Sequence, residues 1–144
     1  MKIFISGPIE GDPNYKRNFT RAESHLKAAG HLAINPCMPE GMGYKEEYLK
    51  VCFAQIRMCD AIYLLPGADG STGSVAEQIY ALLTGRAILT DEGGELVSKT
   101  IKKKDILTSS KTKGMVEKIS EYIHQDRDVG ELHFGMVGEV AGGM

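Results

Sequence analysis

Residues 59–90 read CDAIYLLPGADGSTGSVAEQIYALLTGRAILT, and they contain one complete strand–helix–strand unit. AIYLL (61–65) is a short uninterrupted apolar run, as expected of a strand covered on both faces. The segment 66–72 is rich in glycine with a leading proline and reads as a loop. From 73 to 84 the periodicity changes: Val75, Ile79, Leu82 and Leu83 recur at helical spacing, and Gly85 follows the last of them. AILT (87–90) is again strand-like. A strand, a helix and a second apolar strand in about thirty residues define a parallel crossover.

Working outward, the same alternation repeats toward the N-terminus. KIFIS (2–6) is a strand stopped by Gly7-Pro8. Phe19, Ala22, Leu26 and Ala29 place a helix over 18–29, with Gly30 at its C-terminal cap. HLAIN (31–35) is the next strand, 37–43 a glycine-containing loop of the kind that borders sites, and 45–58 a helix amphipathic through Tyr48, Val51, Cys52, Gln55 and Ile56. The order predicts a single-domain α/β protein, a Rossmann or flavodoxin-like open parallel sheet with helices on both faces. GMVEKISEYIH (114–124) adds a terminal helix with Met115, Val116, Ile119, Tyr122 and Ile123 on one face. The stretch 95–108 stays open between a strand, a hairpin and an ordered loop. Residues 1–125 form the expected domain, and the glycine-rich 126–144 reads either as a flexible tail or as an arm that docks on a partner subunit.

Composition narrows the partners. The chain has 144 residues, is 42% hydrophobic and carries a formal net charge of −2. That is one core's worth of chain, with no global attraction to nucleic acid or to an anionic membrane. No long apolar stretch marks a membrane span or signal peptide, so a cytoplasmic protein is expected. Cys37, Cys52 and Cys59 lack C-x-x-C spacing, and the four histidines, His25, His31, His124 and His133, are scattered. No metal and no cofactor is expected from them. The lysines at 99, 102, 103, 104, 111 and 113 read as a solvated face. Gly67, Gly70 and Gly73 fit neither a dinucleotide fingerprint nor a P-loop.

Candidate site residues come from the topology. In an open parallel sheet, ligands bind beyond the carboxyl ends of the strands, which here are Ser6-Gly7-Pro8, Asn35-Pro36 and 66–72. Glu77 is read in the first turn of the helix that follows the third of these ends. It falls nearly opposite the apolar stripe, so the periodicity turns it toward the crevice or solvent, and the helix dipole favours its ionised form. Ser71, Thr72, Gly73 and Ser74 offer hydroxyls and backbone N–H groups suited to an anion. On spacing alone Glu77 is equally a helix-start acid beside a capping Ser71 or Thr72. Asn18 and Tyr15 flank the first loop, where they read either as contacts to a base or ribose or as a helix cap and a loop aromatic. Asp60, at the other edge of the sheet, reads as a turn residue.

KIFISGPIEG (2–11), AAGHLAINP (28–36) and residues 59–85 together resemble the nucleoside 2-deoxyribosyltransferase superfamily, in particular its branch of short phage and bacterial proteins. The likeness covers about residues 2–90. It implies that Glu77 attacks C1′ of a nucleoside or nucleotide and is released by a second base or by water, in the manner of a retaining glycosidase. It also implies that Ser71, in the place where nucleoside-monophosphate glycosidases carry a serine, holds a 5′-phosphate with help from the Gly73 N–H. The substrate loop would include Gly7, Pro8 and Asn18. Family members complete their pockets with a side chain from a neighbouring subunit, which points to Ser98 and Thr100 and to a homodimer or larger assembly. Three positions depart from the family pattern: Phe4 replaces a tyrosine that steadies the nucleophile, Cys52 replaces an aspartate that assists departure of the base, and Glu10 replaces an arginine near the phosphate. Glu10, Asp12, Glu47 and Asp69 are the candidate replacement proton donors. The expectations are thus an N-glycosidic enzyme acting on a small nucleotide or nucleoside, or a binding protein on the same scaffold.

Overall fold

A computed structural model describes residues 1–37, 45–99 and 101–125. The elements run β1 (Lys2–Ser6), α1 (Tyr15–Ala28), β2 (Leu32–Ile34), α2 (Lys45–Arg57), β3 (Ala61–Leu64), a 3₁₀ turn (Ala68–Gly70), α3 (Thr72–Leu83), β4 (Ala87–Glu92), β5 (Glu95–Ser98), α4 (Ile101–Thr108) and a helix over 113–125, here α5. The sheet order is β2-β1-β3-β4-β5. The first four strands are parallel, and β5 pairs antiparallel with β4. The α/β architecture is therefore the expected one, with an antiparallel edge added.

Strand alternation divides the core in two. Ile3, Ile5, Ala61, Tyr63, Leu65 and Leu89 point to one face, where Phe19, Ala22 and Leu26 of α1 cover them. Phe4, Ile62, Leu64 and Ile88 point to the other, against α2, α3 and side chains of α4 and α5. On this second face Phe53 of α2 stacks on Tyr80 of α3 at a ring separation of 4.3 Å, with Tyr122 of α5 at 5.6 Å. Offset aromatic packing of this kind adds to the area it buries and ties the three helices into one layer. The terminal-helix face read from the sequence, Met115 to Ile123, packs here as expected.

The differences from expectation have local causes. The segment 95–108 splits into β5 and α4 because Gly93 and Gly94 both take positive φ (63° and 89°), as a tight two-residue hairpin requires, and Asp91 Oδ1 accepts the Gly94 N–H at 2.8 Å. α1 begins at Tyr15, with Asn14 in the N-cap position, so Asn18 is not a cap. Its side-chain amide instead donates to Asp12 at 3.2 Å, fastening the loop before the helix to its first turn. Val51, assigned by periodicity to the buried face of α2, is 40% exposed, while Phe53 is buried. At the amino ends of β3 and β4 the Arg86 guanidinium donates to the carbonyls of Arg57, Cys59 and Thr84, gathering the ends of α2 and α3. Asp60, as read, is structural: its carboxylate accepts the Lys2 N–H at 2.8 Å. Among the described residues no helix is long and apolar enough to cross a membrane. The 126–144 segment lies outside the described residues.

Candidate functional site

β1 lies between β2 and β3, and the chain leaves it through α1 on one face but reaches β3 through α2 on the other. The loops after β1 and β3 therefore diverge, opening the crevice where ligands bind in such sheets. Gly7 sits at the closest approach between them. A Cβ added there would lie 2.7 Å from Leu65 Cβ and 2.9 Å from its Cδ1. Gly7→Ala must push β1 and Leu65 apart, so a stability loss of about 1–3 kcal/mol is expected in urea unfolding.

Glu77 is on the β1 side of α3 and only 6% exposed. Of the two orientations read from periodicity, crevice or solvent, the solvent one is corrected: α3 is buried on almost every side, Ser74 and Ala76 through Leu82 included, because α2 covers the flank that the apolar stripe leaves open. The expected charge state is corrected with it. Burial pushes the Glu77 carboxyl up to about 7, and hydrogen bonds from Ser6 and Cys52 only partly oppose this. α3 starts at Thr72, which puts Glu77 beyond the first turn where a helix dipole acts, and desolvation of a carboxylate outweighs what remains of it.

Three elements supply the partners. Ser6, the last residue of β1, donates to Glu77 Oε1 at 2.8 Å, and its oxygen lies 2.6 Å from the hydroxyl of Ser74. Cys52 of α2 also hydrogen-bonds Glu77, and beside it lies Tyr48, whose hydroxyl donates to the Pro36 carbonyl at 2.9 Å. Burial raises both the Cys52 thiol and the Tyr48 phenol, so both are neutral near pH 7. Phe4 and Cys52, two of the departures from the family pattern, are thus on the Glu77 face of the sheet, inside the same core. Sequence reasoning named Ser6 only as a strand end and missed its bond to Glu77. The available signal was alternation: Ser6 shares its strand face with Phe4, two residues before it.

The other predicted residues divide into groups. Ser71 is the N-cap of α3, its hydroxyl accepting the Ser74 N–H at 3.4 Å. Thr72 and Gly73 are exposed at that helix end, and a Cβ at Gly73 would meet nothing within 4 Å, so the start of α3 faces open space. Pro8 and Asn18 line a different hollow of about 440 Å³, on the α1 face, with Asp12, Arg21, Tyr63 and Pro66. A neighbouring hollow of about 490 Å³ shares Tyr63 and Pro66 and reaches Asp69 and Thr90. Glu77 lines neither, so the described residues do not bring Pro8 and Asn18 together with it. Ser98 is exposed on β5, and Thr100 lies outside the described residues.

The suggested proton donors are engaged or exposed. Asp12 accepts from the Asn14 N–H and Asn18, Glu47 pairs with Lys50, and Asp69 accepts from Gln78. Glu10 is exposed. Among the described residues no set of three or more His, Cys, Asp or Glu is placed to hold a metal ion.

An open, mostly parallel sheet with an acid buried behind its switch point defines a Rossmann-like α/β protein. Within that class, residues 1–90 match the family described as Domain of unknown function (DUF4406), and the chain belongs to it. No curated protein matches in sequence. Among solved structures, the chain is similar to a 2-deoxyribosyltransferase from Bacillus psychrosaccharolyticus, with a TM-score of 0.52 and 19% identity over 74% of this chain and 82% of that one. It is also similar to a CMP N-glycosidase from Clostridium botulinum, at a TM-score of 0.48 and 19% identity over 62% of this chain and 70% of that one.

Proposed function

We propose that this protein cleaves or transfers the N-glycosidic bond of a nucleoside 5′-monophosphate or nucleoside, with Glu77 as the nucleophile. The observation that carries the reading is a buried carboxyl at the switch point, held by hydroxyl and thiol donors with no neutralising cation among the described residues. A purely structural acid in such a place would be costly, since burial raises the free energy of its charged form. Similarity of fold to a 2-deoxyribosyltransferase supports the same chemistry. In the first step a Glu77 oxygen forms a bond to C1′ while the C1′–N bond breaks, and the base departs with that electron pair and takes up a proton. Water or a second base then attacks C1′ and regenerates the carboxylate. The free protein must lose the Glu77 proton to act, so kcat/KM rises with pH through about 7.

Ser71 and the open start of α3 supply the phosphate subsite in this reading. The smallest assembly is a homodimer in which the partner's β5 region closes the pocket. The test is a mass-spectrometric screen of ribo- and deoxyribonucleosides and their 5′-monophosphates, with and without acceptor bases. Free base or an exchanged nucleoside is expected. Ser71→Ala is expected to raise KM for monophosphates about tenfold and leave nucleosides nearly unchanged. Equal effects on both would remove the phosphate assignment. A second reading, binding without cleavage, is favoured by the neutral Cys52 thiol where the family places an acid. It predicts retention of one compound intact and no product.

A further inference from the structure

We propose that Ser6 is the positioning residue of this site: its hydroxyl, itself oriented by Ser74, fixes the Glu77 carboxylate in its reactive place and supports its ionised form. The inference rests on Glu77 as the nucleophile and adds the group that governs it.

Proton counting fixes the direction of the network. Each serine hydroxyl has one hydrogen. With Glu77 ionised, Ser6 uses its hydrogen on Glu77 Oε1 at 2.8 Å, so the 2.6 Å contact between Ser6 and Ser74 requires Ser74 to donate. The order is Ser74 to Ser6 to Glu77, a chain in which each bond polarises the next toward the carboxylate. All three side chains are buried: Ser6 is 0%, Ser74 1% and Glu77 6% exposed. Water therefore cannot replace the hydroxyls easily, and their geometry is set by the backbone of β1 and the first turn of α3.

The position of Ser74 adds a link. Its N–H is the one capped by Ser71, and its hydroxyl starts the chain to Glu77. The residue that shapes the open end of α3 also orients the donor to the nucleophile. Among the described residues the titratable groups facing Glu77 are Cys52 and Tyr48, both from α2 and both neutral near pH 7. β1 contributes the Ser6 hydroxyl and the apolar Phe4 on this face, so among the described residues no second charge masks the effect of Ser6. A serine pair needed only to join β1 to α3 would leave the carboxyl's titration unchanged when removed.

The experiment follows the Glu77 side-chain carboxyl by carbon NMR in the full chain labelled with ¹³C-glutamate, the signal being assigned by its loss in Glu77→Gln. Ser6→Ala is expected to move the titration midpoint up by about one pH unit, and Ser74→Ala by less, because a hydrogen bond to an ionised group has been removed or weakened. Ser6→Thr is expected to restore the original midpoint. If base release is observed, its acidic limb moves by the same amount, about a tenfold loss of kcat/KM at pH 6. A change in stability with an unchanged midpoint in Ser6→Ala overturns the inference. Should Ser6→Ala not fold, the Ser74→Ala midpoint decides, and an unmoved midpoint there overturns the inference equally. The NMR readout needs no turnover, so an absent activity with a displaced midpoint would reject the proposed reaction while leaving the Ser6–Glu77 coupling intact.

Discussion

Under the proposed reaction, Glu77→Gln is expected to abolish base release, lowering kcat by about a thousandfold or more, while the protein remains folded. A neutral amide cannot form the glycosyl ester, and loss of a nucleophile commonly costs several orders of magnitude. The fold survives for a reason that lies in the site. Gln has the same shape as Glu, its carbonyl oxygen accepts the Ser6 hydroxyl at the same place, and a carboxyl with little access to water is replaced by a neutral group. In the proposed reading, binding through the start of α3 does not involve the Glu77 charge, so the variant is expected to capture substrate still. Separate measurement of binding by calorimetry and of base release by chromatography distinguishes the outcomes. Unchanged release in the variant would remove Glu77 from the chemistry. Intact capture by both proteins, with no release by either, would select the binding reading instead.

The fold was legible because its rules are local. The parallel order followed from alternating apolar runs and helical periodicity, and it needed no long-range information. DEGGE (91–95) carries a hairpin signal, as adjacent glycines satisfy a turn with two positive φ values, yet the residues after it suit a strand, a hairpin or an ordered loop alike until β4 is there to pair with them. Glu77 stood out in the sequence as a candidate, and its environment was misread. Periodicity assumes that a helix buries one face, and α3 buries nearly all of its circumference because α2 packs where solvent was expected. Whether Glu77 is charged depends on that packing, which no spacing within α3 reports. Ser6 was missed for a related reason: its role arises from a contact 71 positions along the chain. Alternation placed it on the right face, and only the crossing of β1 by α3 made it a partner.

The same burial predicts a large change of stability with pH. In the unfolded chain Glu77 ionises near 4.5, whereas in the folded protein it holds its proton up to about 7. Between those values the folded state binds more protons than the unfolded state, so stability falls as pH rises. The contribution is fully present below about 4.5 and lost as pH rises through about 7. Each pH unit that separates the folded from the unfolded ionisation is worth about 1.4 kcal/mol, so the loss approaches about 3 kcal/mol. Glu77→Gln lacks this dependence. Relative to wild type it therefore gains stability from pH 5 to pH 8, by about 10 °C in Tm for a chain of this size. Urea unfolding of both proteins across that range measures the difference directly. Other acids and the unfolded-state cysteines titrate alike in the two chains and cancel, while folded Cys37 and Cys59, raised to about 11 by burial, stay neutral throughout. A constant difference between the proteins would mean that Glu77 ionises at its ordinary pH. The carboxyl would then be solvated in the folded state, and the acidic limb of the activity would move down with it.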